Sequence, residues 1–180
     1  MTTRWRGLAV GVLLLAAPAG FADRLDGPAL AAPLAARSLL LDVARAGDRL
    51  VAVGERGHVL LSDDDGATWR QATAVPARSL LTAVWFVDAR RGFAVGHDEL
   101  ILATDDGGEN WQRRHYAPER QQPLLDVWFA DADTGVAVGA YGAYYATADG
   151  GRSWTRRSFD AAPAPGAPPP SEDDEFAPDY

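Results

Sequence analysis

Three segments repeating at intervals of 42 and 43 residues, a shared turn motif closing each, and no window of helical periodicity predict an all-β chain built as β-propeller blades. The repeats align as Leu40-Leu41-Asp42-Val43 leading to Val53-Gly54 and Trp69, Leu80-Leu81-Thr82-Ala83 leading to Val95-Gly96 and Trp111, and Leu124-Leu125-Asp126-Val127 leading to Val138-Gly139 and Trp154. Within each unit, short runs of β-branched and aromatic residues alternate with Gly- and Asp-rich turns. In the second unit, strands are expected at 82–87, 92–95, 100–104 and 110–115, giving four antiparallel strands in one unit of blade length.

The closing motif reads Ser62-x-Asp64-x-Gly66-x-Thr68-Trp69, Thr104-x-Asp106-x-Gly108-x-Asn110-Trp111 and Thr147-x-Asp149-x-Gly151-x-Ser153-Trp154, the Asp-box pattern. Its chemistry is structural. A hairpin between the third and fourth strands must satisfy its own amides, and a short carboxylate accepts bonds from amides a few residues on. The glycines supply a backbone conformation costly to other residues, and the tryptophans cover the turn. Asp63-Asp64-Asp65 lacks the spacing of a calcium loop, so no metal is expected, and no cofactor motif occurs.

Residues 1–22 read as a signal peptide: Arg4 and Arg6 precede an apolar stretch at 7–17, and Gly20-Phe21-Ala22 offers a cleavage site. The stretch is shorter than the roughly 20 apolar residues of a spanning helix, so the membrane is not expected to be crossed. Residues 23–37 form a lead-in, 38–160 the three blades, and 161–180 a Pro-rich acidic tail or interblade linker. The chain has no cysteine, which excludes disulfides and a lipid-modified N-terminal Cys. A periplasmic or otherwise exported location is expected. The 17 basic residues, all arginine, stand against 25 acidic ones for a net charge of -8, which argues against nucleic acid as a partner.

The combination of L-L-x-x-V-W-F, G-x-A-V-G and T-x-D-G-G-x-x-W, seen best from Leu124 to Trp154, resembles the BNR-like propellers related to the photosystem II assembly and stability factor. The resemblance covers about 38–159. It implies a non-catalytic, seven-bladed exported propeller that binds a protein partner, a membrane-protein complex or its precursor. Three blades do not close a ring; the expectation is a truncated portion of a longer propeller, with self-association as the alternative.

Alternation of antiparallel strands puts the second-to-third turns and the interblade connections on one face, and the Asp-boxes on the other. The first face collects the candidate binding residues Arg37, Arg56, Arg78, His97, Arg120 and Tyr141. Arginine there suits carboxylate or phosphate recognition, and tyrosine suits protein contacts; solvated loop residues are the plainer reading. His58 and His115 are expected to be structural, and Trp85 and Trp128 to be interblade core rather than a sugar platform. The alternative function is an Asp-box glycoside hydrolase of sialidase or xyloglucanase type, or a carbohydrate-binding propeller. Its candidate acids on this face are Glu55, Asp98 and Glu99, but no pair recurs as hydrolysis of a glycosidic bond requires, and the F/Y-R-I-P stretch of sialidases is absent. No catalytic residue is expected.

Overall fold

Twelve strands form three sheets in the structure, a computed structural model that describes residues 27–159. The expected signal peptide, the first residues of the lead-in and the acidic tail lie outside these residues. Blade 1 comprises β1 (Leu40–Ala46), β2 (Arg49–Gly54), β3 (Val59–Ser62) and β4 (Arg70–Gln71). Blade 2 comprises β5 (Leu81–Phe86), β6 (Gly92–Gly96), β7 (Leu100–Thr104) and β8 (Gln112–His115). Blade 3 comprises β9 (Leu124–Phe129), β10 (Gly135–Gly139), β11 (Tyr144–Thr147) and β12 (Thr155–Arg156). In each sheet the strands pair in chain order and antiparallel.

The strands of blade 2 fall within a residue or two of their expected places. The fourth starts at Gln112 rather than 110, because Asn110 bridges to Ala74 and Trp111 N–H donates to the Ala74 carbonyl at 2.9 Å, stitching blade 2 to the segment leaving blade 1. One alignment needs correction. Leu40, Leu81 and Leu124 pair with Gly54, Gly96 and Gly139, so the quartet matching Leu40-Leu41-Asp42-Val43 is Leu81-Thr82-Ala83-Val84, one residue later than the sequence repeat suggests. The doublet misleads because its second leucine, Leu81, holds the place that the first leucine, Leu40 or Leu124, holds in the other blades.

The core lies between blades, because alternate residues of each strand face opposite neighbours. Val51, Val53, Val59 and Leu61 of blade 1 meet Leu81, Val84, Ala94 and Leu102 of blade 2. Phe93, Val95, Ile101 and Ala103 on the other side of blade 2 meet Leu124, Val127, Phe129 and Tyr145 of blade 3. Each fully buried aliphatic side chain contributes about 1.5–3 kcal/mol through removal from water. Trp85 packs into the second of these clusters as expected. Its counterpart Trp128 stands on the open side of blade 3 and is 48% exposed.

The blades pack closely at their entries. A Cβ at Gly54, Gly96 or Gly139 would collide with the carbonyl oxygen of Leu39, Leu80 or Pro123, so these glycines let the incoming chain lie against the end of the second strand. The lead-in is part of the fold: Ala35 packs with Ala52 and Leu60, Ala29 N–H donates to the Val75 carbonyl at 2.8 Å, and Ala32 N–H donates to Gln71 Oε1 at 2.7 Å.

Candidate functional site

The pairing of Leu40, Leu81 and Leu124 with the glycines that end β2, β6 and β10 brings the second-to-third turns and the blade entries to one end of the sheets. All six candidate residues fall at that end. Arg37 closes the 3-10 turn Ala35–Arg37, Arg56 lies in Glu55–Gly57, Arg120 in Pro118–Arg120 and Tyr141 in Ala140–Gly142. His97 follows β6, and Arg78 lies on the way into β5, where its Nε donates to the Pro28 carbonyl at 2.8 Å. Arg37, Arg56, His97 and Tyr141 are exposed, Tyr141 by 80%. Arg56 and Tyr141 adopt φ of 56° and 55°, a left-handed conformation that costs a non-glycine residue about 1–2 kcal/mol.

In the other two turns the residue after this one is a glycine with positive φ, Gly57 or Gly142, but in blade 2 it is Glu99, with φ of 49°. Glu99 is fully buried. The Tyr145 hydroxyl donates to Glu99 Oε2 at 2.6 Å, and the Glu99 backbone N–H donates to the Gln122 carbonyl at 2.9 Å. Arg120 Nε lies 3.5 Å from Oε2 and Arg156 Nη1 lies 3.4 Å from Oε1, while Arg156 Nη2 donates to Gln122 Oε1 at 3.1 Å. His115 stands behind, its Nε2 3.8 Å from Oε2 and its ring 4.6 Å from that of Tyr145. Burial pushes the His115 pKa down against the pull of Glu99, which favours the neutral ring; burial and then the Glu99 bond push Tyr145 up to about 12, so it remains a donor.

The cluster therefore sets one buried carboxylate beneath two guanidiniums that are 48% and 33% exposed, and it ties blade 2 to blade 3. Its surplus positive charge faces solvent. Of its members only Arg120 stands among the six candidates; Arg156, Tyr145 and Gln122 come from a different blade or connection than Glu99. A glutamate at a turn position occupied by glycine in both sister repeats was the signal that could have marked it.

The repeated Asp turns lie at the opposite end. In each, the Ser or Thr hydroxyl accepts from the glycine amide, at 2.8 Å for Gly66, 3.1 Å for Gly108 and 2.9 Å for Gly151. The same hydroxyl donates to the aspartate at 2.8, 2.9 and 2.8 Å. The carboxylates of Asp64, Asp106 and Asp149 in turn accept from both the amide and the side chain of Thr68, Asn110 and Ser153. The Ser153 hydroxyl, then its amide, hold Asp149 down to about 2; the Thr68 bonds lower Asp64 likewise, and in Asp106 the bonds outweigh a burial that pushes upward. Trp69 and Trp111 donate to the Gly66 and Gly108 carbonyls at 3.0 and 2.8 Å. Trp154 instead stands edge-on to Phe93 and Phe129, and its Nε1 finds no acceptor.

A tyrosine bonded to a glutamate beside arginines has the composition of some glycosidase centres, but Tyr145 is only 3% exposed and Glu99 is sealed, so neither can meet a sugar. Among the described residues, no group of three or more His, Cys, Asp or Glu is placed to hold a metal ion. No helix among them is long and apolar enough to cross a membrane.

Three antiparallel four-stranded blades, packed face to face and carrying their variable turns at one end, make this chain part of a β-propeller. It is similar to a solved structure described as YCF48 bound to D1 peptide, with a TM-score of 0.58 and 23% identity over 71% of this chain and 42% of that one. It is also similar to YCF48 from Cyanidioschyzon merolae, with a TM-score of 0.55 and 28% identity over 66% of this chain and 37% of that one. The chain spans less than half the length of these two structures. No protein-family profile matches it. No curated protein sequence matches it.

Proposed function

We propose that this chain is the blade-bearing part of a non-catalytic, exported propeller that binds a protein partner through the end carrying Arg120 and Arg156, in the manner of a photosystem II assembly or stability factor. The reading rests above all on the Glu99 cluster: a buried carboxylate holds two partly exposed guanidiniums in place, and a positioned guanidinium fork binds a peptide carboxylate with geometry as well as charge. Arg37, Arg56, Arg78, His97 and Tyr141 extend the same surface, Tyr141 offering a large exposed contact. A peptide-bound YCF48 among the similar structures supports a polypeptide ligand. The repeated turns are Asp-boxes serving as scaffold, and residues 1–22 direct export and are then removed. The sealed Tyr145–Glu99 pair disfavours the hydrolase alternative.

The test is binding of a fluorescently labelled D1 peptide. Saturable binding that falls about tenfold in Arg120→Ala is the expected result. Absence of binding, or binding indifferent to both Arg120→Ala and Tyr141→Ala, would remove the proposal.

A further inference from the structure

At the Asp-turn end, the joint between blades 1 and 2 and the joint between blades 2 and 3 are built from equivalent positions but pair their charges differently. At the first, Arg49 Nε and Nη2 donate to Asp63 at 2.6 and 3.3 Å, and Nη1 donates to the Gly107 carbonyl at 3.2 Å. Arg70 beside it donates to both oxygens of Glu109, at 2.6 and 2.8 Å. Both of these guanidiniums have carboxylates, and Arg90 at the same joint donates from Nε to the Asp105 carbonyl at 3.1 Å.

At the second joint the strand register puts Arg91 in the place of Arg49 and Asp105 in the place of Asp63. Counting from the turn tryptophans, Gln112 replaces Arg70 and Arg152 replaces Glu109. An acid has become an arginine. Arg114 adds a third guanidinium; it is the extra residue of a bulge in β8, where Ile101 faces His115 but Leu102 faces Arg113. Arg91, Arg114 and Arg152 surround a cavity of about 200 Å³, floored by Phe93 and carrying the single carboxylate Asp105. Arg91 Nε is buried with no hydrogen-bond partner, and none of the three arginines makes an ion pair among the described residues. Arg152 Nη1 meets only the Asp149 carbonyl, at 3.1 Å. A Cβ at Gly150 would come within 3.1 Å of Arg91 Nη1, so the glycine leaves that guanidinium its room.

We infer that this cavity is a binding site for a small oxyanion, with inorganic phosphate as its probe. Three guanidinium forks line a partly enclosed space with a single carboxylate among the lining residues. Asp133 Oδ1 approaches the same Gly150 position as Arg91 Nη1 but forms no ion pair with any of the three. The wall of the cavity is therefore positive where attraction is stronger than in open water. The forks match the oxygens of a phosphate, and an orphaned buried N–H gains an acceptor when the ion enters. At about 200 Å³ the cavity admits such an ion with a few waters and is too small for a folded partner. The site lies at the end of the blades opposite Arg120 and is independent of peptide binding there.

The purified protein is titrated with sodium phosphate by calorimetry at constant ionic strength, chloride making up the balance. Saturable phosphate binding is expected, reduced about tenfold or more by Arg152→Glu, which installs the residue that blade 2 carries at the same turn position. Arg114→Gln, which alters only the bulge, is a second probe expected to weaken binding, whereas Glu109→Gln at the other joint leaves it unchanged. Melting temperature, read in parallel, rises with phosphate in the parent. No heat beyond the chloride control, or equal phosphate affinity in the parent, Arg152→Glu and Arg114→Gln, would overturn the inference.

Discussion

Asp64, Asp106 and Asp149 each accept bonds that exist only when the turn is folded, and each is held below the usual carboxylate range. In the unfolded chain these groups titrate near 3.9. The stabilisation they give is therefore complete above about pH 4 and disappears as pH falls towards about 2, the value to which Asp149 is held. Thermal melts between pH 5 and pH 2 should show a steep decline in that window, and Asp149→Asn should flatten it. Glu99 works differently, since it is sealed among Tyr145, Arg120 and Arg156. Glu99→Ala strips the buried tyrosine hydroxyl of its acceptor and is expected to cost about 1–3 kcal/mol in urea unfolding. Glu55→Ala removes a carboxylate whose contact is an exposed bond from the Leu39 amide at 3.3 Å, and should cost less than about 0.5 kcal/mol.

Among elements, the third and fourth strands depend on the tryptophan that closes each turn. Trp111 is 4% exposed, meets Phe86 edge-on at 6.3 Å and belongs to the core between blades 1 and 2, whereas Trp69 is only half-buried beneath the lead-in. Trp111→Ala should therefore destabilise by about 3–5 kcal/mol in urea unfolding, and Trp69→Ala by less. These strands and turns were legible in the sequence because the information is local: alternation within a few residues, and a hydroxyl, a carboxylate, a glycine and an indole at fixed offsets. The register of β5 was not, because Leu80 and Leu81 are both leucines and only the pairing of Leu81 with Gly96 shows which of them matches Leu40 and Leu124. The Glu99 cluster draws on a turn, a connection and strands of two blades, with partners as far apart as Glu99 and Arg156. The charge difference between the two joints likewise emerges only once Arg152 and Glu109 are known to occupy equivalent places.

For the whole molecule, the two outermost faces are unequal. On blade 3, the side that in blades 1 and 2 buries against a neighbour presents Trp128 and Tyr144, and Phe159 stacks on Tyr144 at 4.7 Å. Contiguous apolar surface of this kind drives association. Sedimentation should show concentration-dependent self-association of this chain, and Trp128→Ser should weaken it; a concentration-independent monomer would contradict the prediction. Blade 1 differs, because Ala32 and Ala35 already cover Ala52 and Leu60 on its outer side. A chain synthesised from its amino terminus can thus shelter this face of blade 1 with residues made just before it, whereas the facing sides of blades 1 and 2 are covered only by residues made afterwards.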